Sequence, residues 1–160
     1  MPRTYALFPA IIIWGILLGG IVYSHVAFIP VYMADLPNSA IVVNGKYGLN
    51  EAPFWMTVHP LLILSLIIAL ASNWKLKARR KLIALSCGIY IVALIATAAY
   101  FVPELMAFAK SPESNLPASE WRARGHRWYY LSLVRGVVCF MGFVPLFITQ
   151  TKQKDSNKEI

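Results

Sequence analysis

Carboxylates are scarce in this chain, with 7 Asp and Glu against 15 Lys and Arg in 160 residues and a formal net charge of +8. There is no GxSxG, no HExxH, no nucleotide-binding glycine loop, no CxxCH and no paired ExxH. Hydrolase, NTPase, covalent-haem and di-iron readings therefore lose their usual residues. The two cysteines, Cys87 and Cys139, fall inside apolar segments without CxxC spacing, so they read as small packing residues and not as a disulfide or redox pair. Nothing alternates with the two-residue period of membrane barrel strands, and no internal repeat or long low-complexity tract is present.

Apolar residues are what the chain has in abundance: 58% are hydrophobic and 14% charged. That is the composition of a small integral membrane protein of one domain. Four apolar runs, about 5–33, 53–72, 82–102 and 128–150, are each long enough at about 1.5 Å per residue to cross a hydrocarbon core of about 30 Å. The expected fold is all-α, a four-helix transmembrane bundle over 1–151 followed by a polar tail, 152–160. The first run exceeds a secretory h-region and lacks a small-residue cleavage pattern, so it reads as a retained span.

Lys75, Lys77, Arg79, Arg80 and Lys81 crowd the short link between the second and third runs. With Arg3 and with Lys152, Lys154 and Lys158, they put the link and both termini on one face, which the positive-inside rule makes cytoplasmic. The expected location is the cell inner (plasma) membrane. The two longer connections, about 34–52 and 103–127, then face outward, the second carrying Arg122, Arg124 and Arg127 against Glu113 and Glu120. Topology accounts for most of the positive charge, and no nucleic-acid partner is expected.

Ionisable groups inside hydrocarbon cost several kcal/mol unless they face a partner or a cavity, so His25, His59 and Arg135 need a reason. Measured from Met33, Pro53 and Trp128 as span ends, they lie about 12, 9 and 11 Å deep, which predicts one polar layer in the outer half of the bilayer. Trp14, Leu18, His25 and Tyr32 share a stripe, as do Tyr90, Thr97, Tyr100 and Glu104, while Trp55 and Trp128 precede His59 and Arg135 at helical spacing. A pocket of Trp14, Tyr32, Trp55, Tyr100, Glu104 and Trp128 around His25, His59 and Arg135 suits a small flat hydrophobic or anionic aromatic ligand. Interfacial belts explain Trp55, Trp128, Tyr129 and Tyr130 equally simply. His126 points away from Arg135, and Glu51 and Glu104, at span ends, read as rim acids or proton relays.

The marks Gly19-x-x-x-Tyr23-Ser-His25-x-x-x-x-Pro30, Pro53-Phe-Trp55, Thr97-x-x-x-x-x-Pro103 and Trp121 followed by Arg127 and Arg135 resemble the anthrone-oxygenase-like family of small four-helix membrane proteins. The resemblance spans about residues 10–150. It implies oxidation of hydroxylated polycyclic substrates such as anthrones with O2 as co-substrate and no tightly bound cofactor, with the intramembrane His and Arg as the chemical residues. Two other readings stay open. Facing imidazoles of His25 and His59 are also how four-helix bundles ligate haem b, for electron transfer or haem enzymology. Alternatively, the Arg-rich outer loop and small-residue helix faces dock the chain, as a homo-oligomer or an accessory subunit, into a larger membrane complex.

Overall fold

A computed structural model describes residues 5–151; Arg3 and the polar tail with Lys152, Lys154 and Lys158 lie outside them. The described residues are all-α, with four helices apolar and long enough to cross a membrane: α1 (Leu7–Tyr32), α2 (Ala52–Ser72), α3 (Lys77–Ala109) and α4 (Ala118–Thr151). They form a four-cornered bundle in which α1 packs on α2 and α4, and α3 packs on the same two. Leucine, isoleucine and valine point outward along every span, as a lipid-facing surface requires.

Two apolar cores fill the bundle. One, at the end holding the basic link, joins Leu7, Trp14 and Leu17 to Leu62, Ile83, Tyr90, Cys139 and Leu146. The other, at the opposite end, joins Phe28, Tyr32 and Leu36 to Phe101, Phe108, Trp121 and Trp128. Gly142 lets the first core close, because a Cβ there would stand 3.0 Å from both Trp14 and Ile89. The buried Ser24 and Ser132 belong to neither core.

Both helices that cross toward the outer end widen for one turn. In α1 the segment Ser24–Phe28 is π-helical and closes with the Ile29 N–H donating to the Ser24 carbonyl. In α3 the segment Thr97–Phe101 does the same, the Val102 N–H donating to Thr97. Each wide turn is followed at once by a proline, Pro30 or Pro103. Proline lacks the N–H and its ring crowds the carbonyl four residues back, so a wider turn just before it relieves the clash. His25 lies in the first wide turn, Thr97 and Tyr100 in the second.

Of the two long connections expected, the one after α3 shrinks to residues 110–117. Beyond Pro103 the chain stays helical through Ala109, and α4 begins ten residues before Trp128. Aromatic packing of Phe108 on Trp121 and Trp128 holds these extensions. A two-bond pair from the Arg124 guanidinium to Glu104, at 2.8 and 3.1 Å, ties them together. In the basic link Arg79 is buried rather than solvated, and its guanidinium approaches Asn73 Oδ1 at 3.5 Å.

Candidate functional site

Arg135 sits between the two cores. Its guanidinium donates to Thr97 Oγ1 and Ser132 Oγ, both at 3.1 Å, and lies over the Phe101 ring at 4.1 Å. The wide turn of α3 presents Thr97 and Phe101 together, and Trp128 holds Phe101 from behind by donating its indole N–H to the Phe101 carbonyl at 3.0 Å. Among the described residues the ion pairs are Arg122–Asp35 and Arg124–Glu104, and no carboxylate pairs with Arg135. A guanidinium inside an apolar bundle, held by neutral oxygens and a ring face, keeps its positive charge uncompensated.

His59 is the second polar centre. Its Nδ1 lies 2.6 Å from the Tyr90 hydroxyl, across from α2 to α3. Trp55 stacks on its ring at 5.9 Å, and Trp14 packs on Tyr90 at 5.2 Å from the opposite corner. Trp14 and Trp55 thus stand beside the His59–Tyr90 pair, and Tyr90 is the partner that the stripe on α3 placed without revealing.

His25 stands apart. Its Nδ1 donates to the Ile21 carbonyl at 2.8 Å, which leaves Nε2 with the lone pair, and that atom is buried without a hydrogen-bond partner. Its ring neighbours Tyr129 of α4 at 6.1 Å.

The expected single layer is not what the bundle builds. Ser24 meets Glu51 and Gly20 meets Phe54, so the level of His59 on α1 falls near residue 16, about nine residues or about 14 Å from His25. Arg135 lies between the two, since its neighbour Gly136 faces Ile21. The depth estimate took Met33 and Pro53 as lying at one surface. Instead α1 continues for more than two turns past the start of α2, and residues 33–51 fold back beside it with a 3-10 turn at Asn38–Val42. Two imidazoles so separated along the bundle do not bracket one iron, so the residues do not fit a bis-histidine haem b site.

The remaining expected pocket residues divide between the two ends. Tyr32 is buried in the outer core, its hydroxyl donating toward the Leu105 carbonyl at 3.4 Å. Trp128 is 4% exposed, a core residue and not a belt residue, whereas Tyr130 at 64% faces outward as a belt residue does. Tyr100 and Glu104 line an outer cleft of about 290 Å3 with Glu120, Arg124 and Arg127. His126 is exposed. Arg122 and Arg124, the residues of the docking reading, are engaged within the chain by Asp35 and Glu104.

Glu51 is better placed than the sequence suggests. Ser24 Oγ donates to one carboxylate oxygen at 2.7 Å and the Trp55 indole N–H to the other at 3.2 Å. Trp55 thereby links the carboxylate to the face of His59. Only the meeting of α1 with α2 reveals this.

The described residues contain no cluster of three or more His, Cys, Asp or Glu able to hold a metal ion. A family model described as Anthrone oxygenase matches residues 53–145, more than half of the chain. The match takes in the His59–Tyr90 and Arg135–Thr97 pairs. No curated protein and no solved structure matches the chain. On the family match, and with four apolar helices that fit a membrane protein of this kind, the chain belongs to the anthrone oxygenase family.

Proposed function

We propose that this protein is a membrane oxygenase that converts a flat hydroxylated aromatic CH-acid, of the anthrone type, to the corresponding quinone with O2. The observation that carries the reading is Arg135, a half-buried cation between the two cores with no carboxylate partner among the described residues. Such a charge favours an enolate or phenolate over the neutral substrate, and in a low-dielectric surrounding it does so strongly.

His59, held by Tyr90, takes the proton from the acidic CH2 carbon, and Arg135 receives the resulting oxyanion. The carbanion form passes electrons to O2, a carbon–oxygen bond forms at that carbon, and loss of water leaves the new carbonyl. One O2 is consumed and one water released for each CH2 oxidised to C=O, with no further reductant needed. Trp14, Trp55 and Tyr90 supply the aromatic walls. The basic α2–α3 link faces the cytoplasm in this reading, so the chain is N-in and C-in in the cell inner membrane with its outer cleft on the far side.

Oxygen uptake by the purified protein in lipid nanodiscs with a hydroxylated anthrone tests this. Arg135→Ala should lower the rate by about a hundredfold or more, the usual cost of deleting an oxyanion donor, while the circular dichroism spectrum stays helical. Undiminished uptake in a folded Arg135→Ala protein overturns the role.

A further inference from the structure

Beside α1 and α2 the bundle surface is notched. Ile16, Gly19, Tyr23 and Phe54 wall a groove of about 370 Å3 that ends on Ser24 and Glu51. Its walls are lipid-facing: Ile16 and Tyr23 are exposed within the α1 span and Phe54 in the first turn of α2. Two glycines shape it. A Cβ on Gly20 would meet the Phe54 ring at 2.5 Å, whereas one on Gly19 would meet nothing within 4 Å. Gly20 thus permits the close crossing and Gly19 leaves the space open.

A carboxylate at the end of an apolar groove within a membrane bundle is costly unless it is solvated by donors. Ser24 and Trp55 give one donor to each oxygen, and a carboxylate has room for about four. Among the described residues no Lys or Arg pairs with Glu51. The unfilled need is for a neutral hydrogen-bond donor arriving along an apolar path, which describes the hydroxyl of a lipid-dissolved phenol. Behind Glu51 stands Trp55, whose indole N–H holds the carboxylate and whose ring stacks on His59.

We infer that the α1–α2 groove is a lateral entry site, in which a polycyclic phenol from the bilayer lays its rings along Gly19 and donates its hydroxyl to Glu51. The inference rests on the oxygenase reading for the fate of the ligand, but binding is separable from turnover. The size of the groove lies within the ordinary range for small-molecule sites.

Full-length protein in nanodiscs is titrated at pH 6 with 2,6-dihydroxyanthraquinone, a planar phenol that is already a quinone, and with anthraquinone, which lacks the hydroxyls. Quenching of tryptophan fluorescence reports binding. Glu51→Gln should weaken the dihydroxy probe about tenfold or more and leave anthraquinone within about twofold, because only the charge-assisted hydrogen bond is lost. Gly19→Leu, which fills the groove from a position with free space, should weaken both. Wild-type affinity for the dihydroxy probe in Gly19→Leu overturns the proposal, as does equal weakening of both probes by Glu51→Gln. If Glu51→Gln does not fold, Glu51→Asp, which draws the carboxylate back by one methylene, takes its place with the same selective loss expected. Should the oxygenase reading alone be wrong, this binding pattern persists in a protein that consumes no oxygen with an anthrone.

Discussion

At the level of single residues, hydrogen bonds between helices separate the residues of the site from their neighbours. Tyr90 gives His59 its only described partner at Nδ1, so Tyr90→Phe leaves the ring packing with Trp14 and removes one bond. A buried hydrogen bond of this kind is worth about 1 kcal/mol net. We therefore expect the melting temperature of Tyr90→Phe to fall by only a few degrees while oxygen uptake with an anthrone falls about tenfold or more; equal uptake would remove His59 from the proton transfer. Arg135→Lys separates charge from shape. Lysine keeps the positive charge but cannot span Thr97 and Ser132 while lying flat on Phe101. Its rate should fall between wild type and Arg135→Ala, and a rate equal to Arg135→Ala would show that fork geometry, not charge, matters. Outside the spans, Asp35 is held below the usual carboxylate range first by the Asn38 amide and then by Arg122. A lowered carboxylate contributes its stability above the unfolded value and loses it as pH falls through the folded one. The protection factors of the 35–44 amides, taken against intrinsic exchange rates at each pH, should therefore fall, modestly for so exposed a group, as pH drops below the normal aspartate range.

At the level of elements, the wide turns before Pro30 and Pro103 decide which side chains reach the gap between the two cores. Sequence periodicity assumes about 100° per residue, and a π turn breaks that count by adding a residue without adding a turn. This is why Tyr90 and Thr97 were legible as one stripe below the wide turn, while the contact of Arg135 with Phe101 was not. The two X-Pro pairs are visible, but nothing in the pattern distinguishes a proline that restarts a helix from one that ends it, so apolar periodicity alone ends α3 near Val102 where the helix runs on through Ala109. Ala98 is exposed within the α3 wide turn. Its deletion would return the segment to ordinary α-helix and leave the outer part of α3 facing as it does, whereas deleting the exposed Ile91 from the regular turns below would rotate everything above it by about 100°. With Ile91 deleted, Phe101 would leave Arg135 and Trp128 would lose its carbonyl acceptor, so both oxygen uptake and melting temperature should drop. Deleting Ala98 should cost much less on both measures; similar damage from both deletions would show that the wide turn is not one inserted residue.

Across the whole molecule, composition and run length were enough for the four spans because hydrocarbon leaves an apolar chain few ways to satisfy its backbone. The separation of the two histidines was not legible, since it depends on how far α2 starts below the end of α1. That offset is set by contacts between distant residues: Ser24 with Glu51 and Gly20 with Phe54. The offset has a spectroscopic consequence. Axial ligation of one iron needs two imidazole nitrogens a few ångströms apart, whereas His25 and His59 differ by about 14 Å along the bundle. Haem could be held by this pair only if α1 slid inward against α2 by about two and a half turns. That slide would break the Ser24–Glu51 bond and pull Trp14 away from Tyr90 and Gly142. Protein purified from cells supplied with haem should therefore show no Soret band and acquire none on haem titration. A Soret band abolished separately by His25→Ala and by His59→Ala would require a different helix register from the one described.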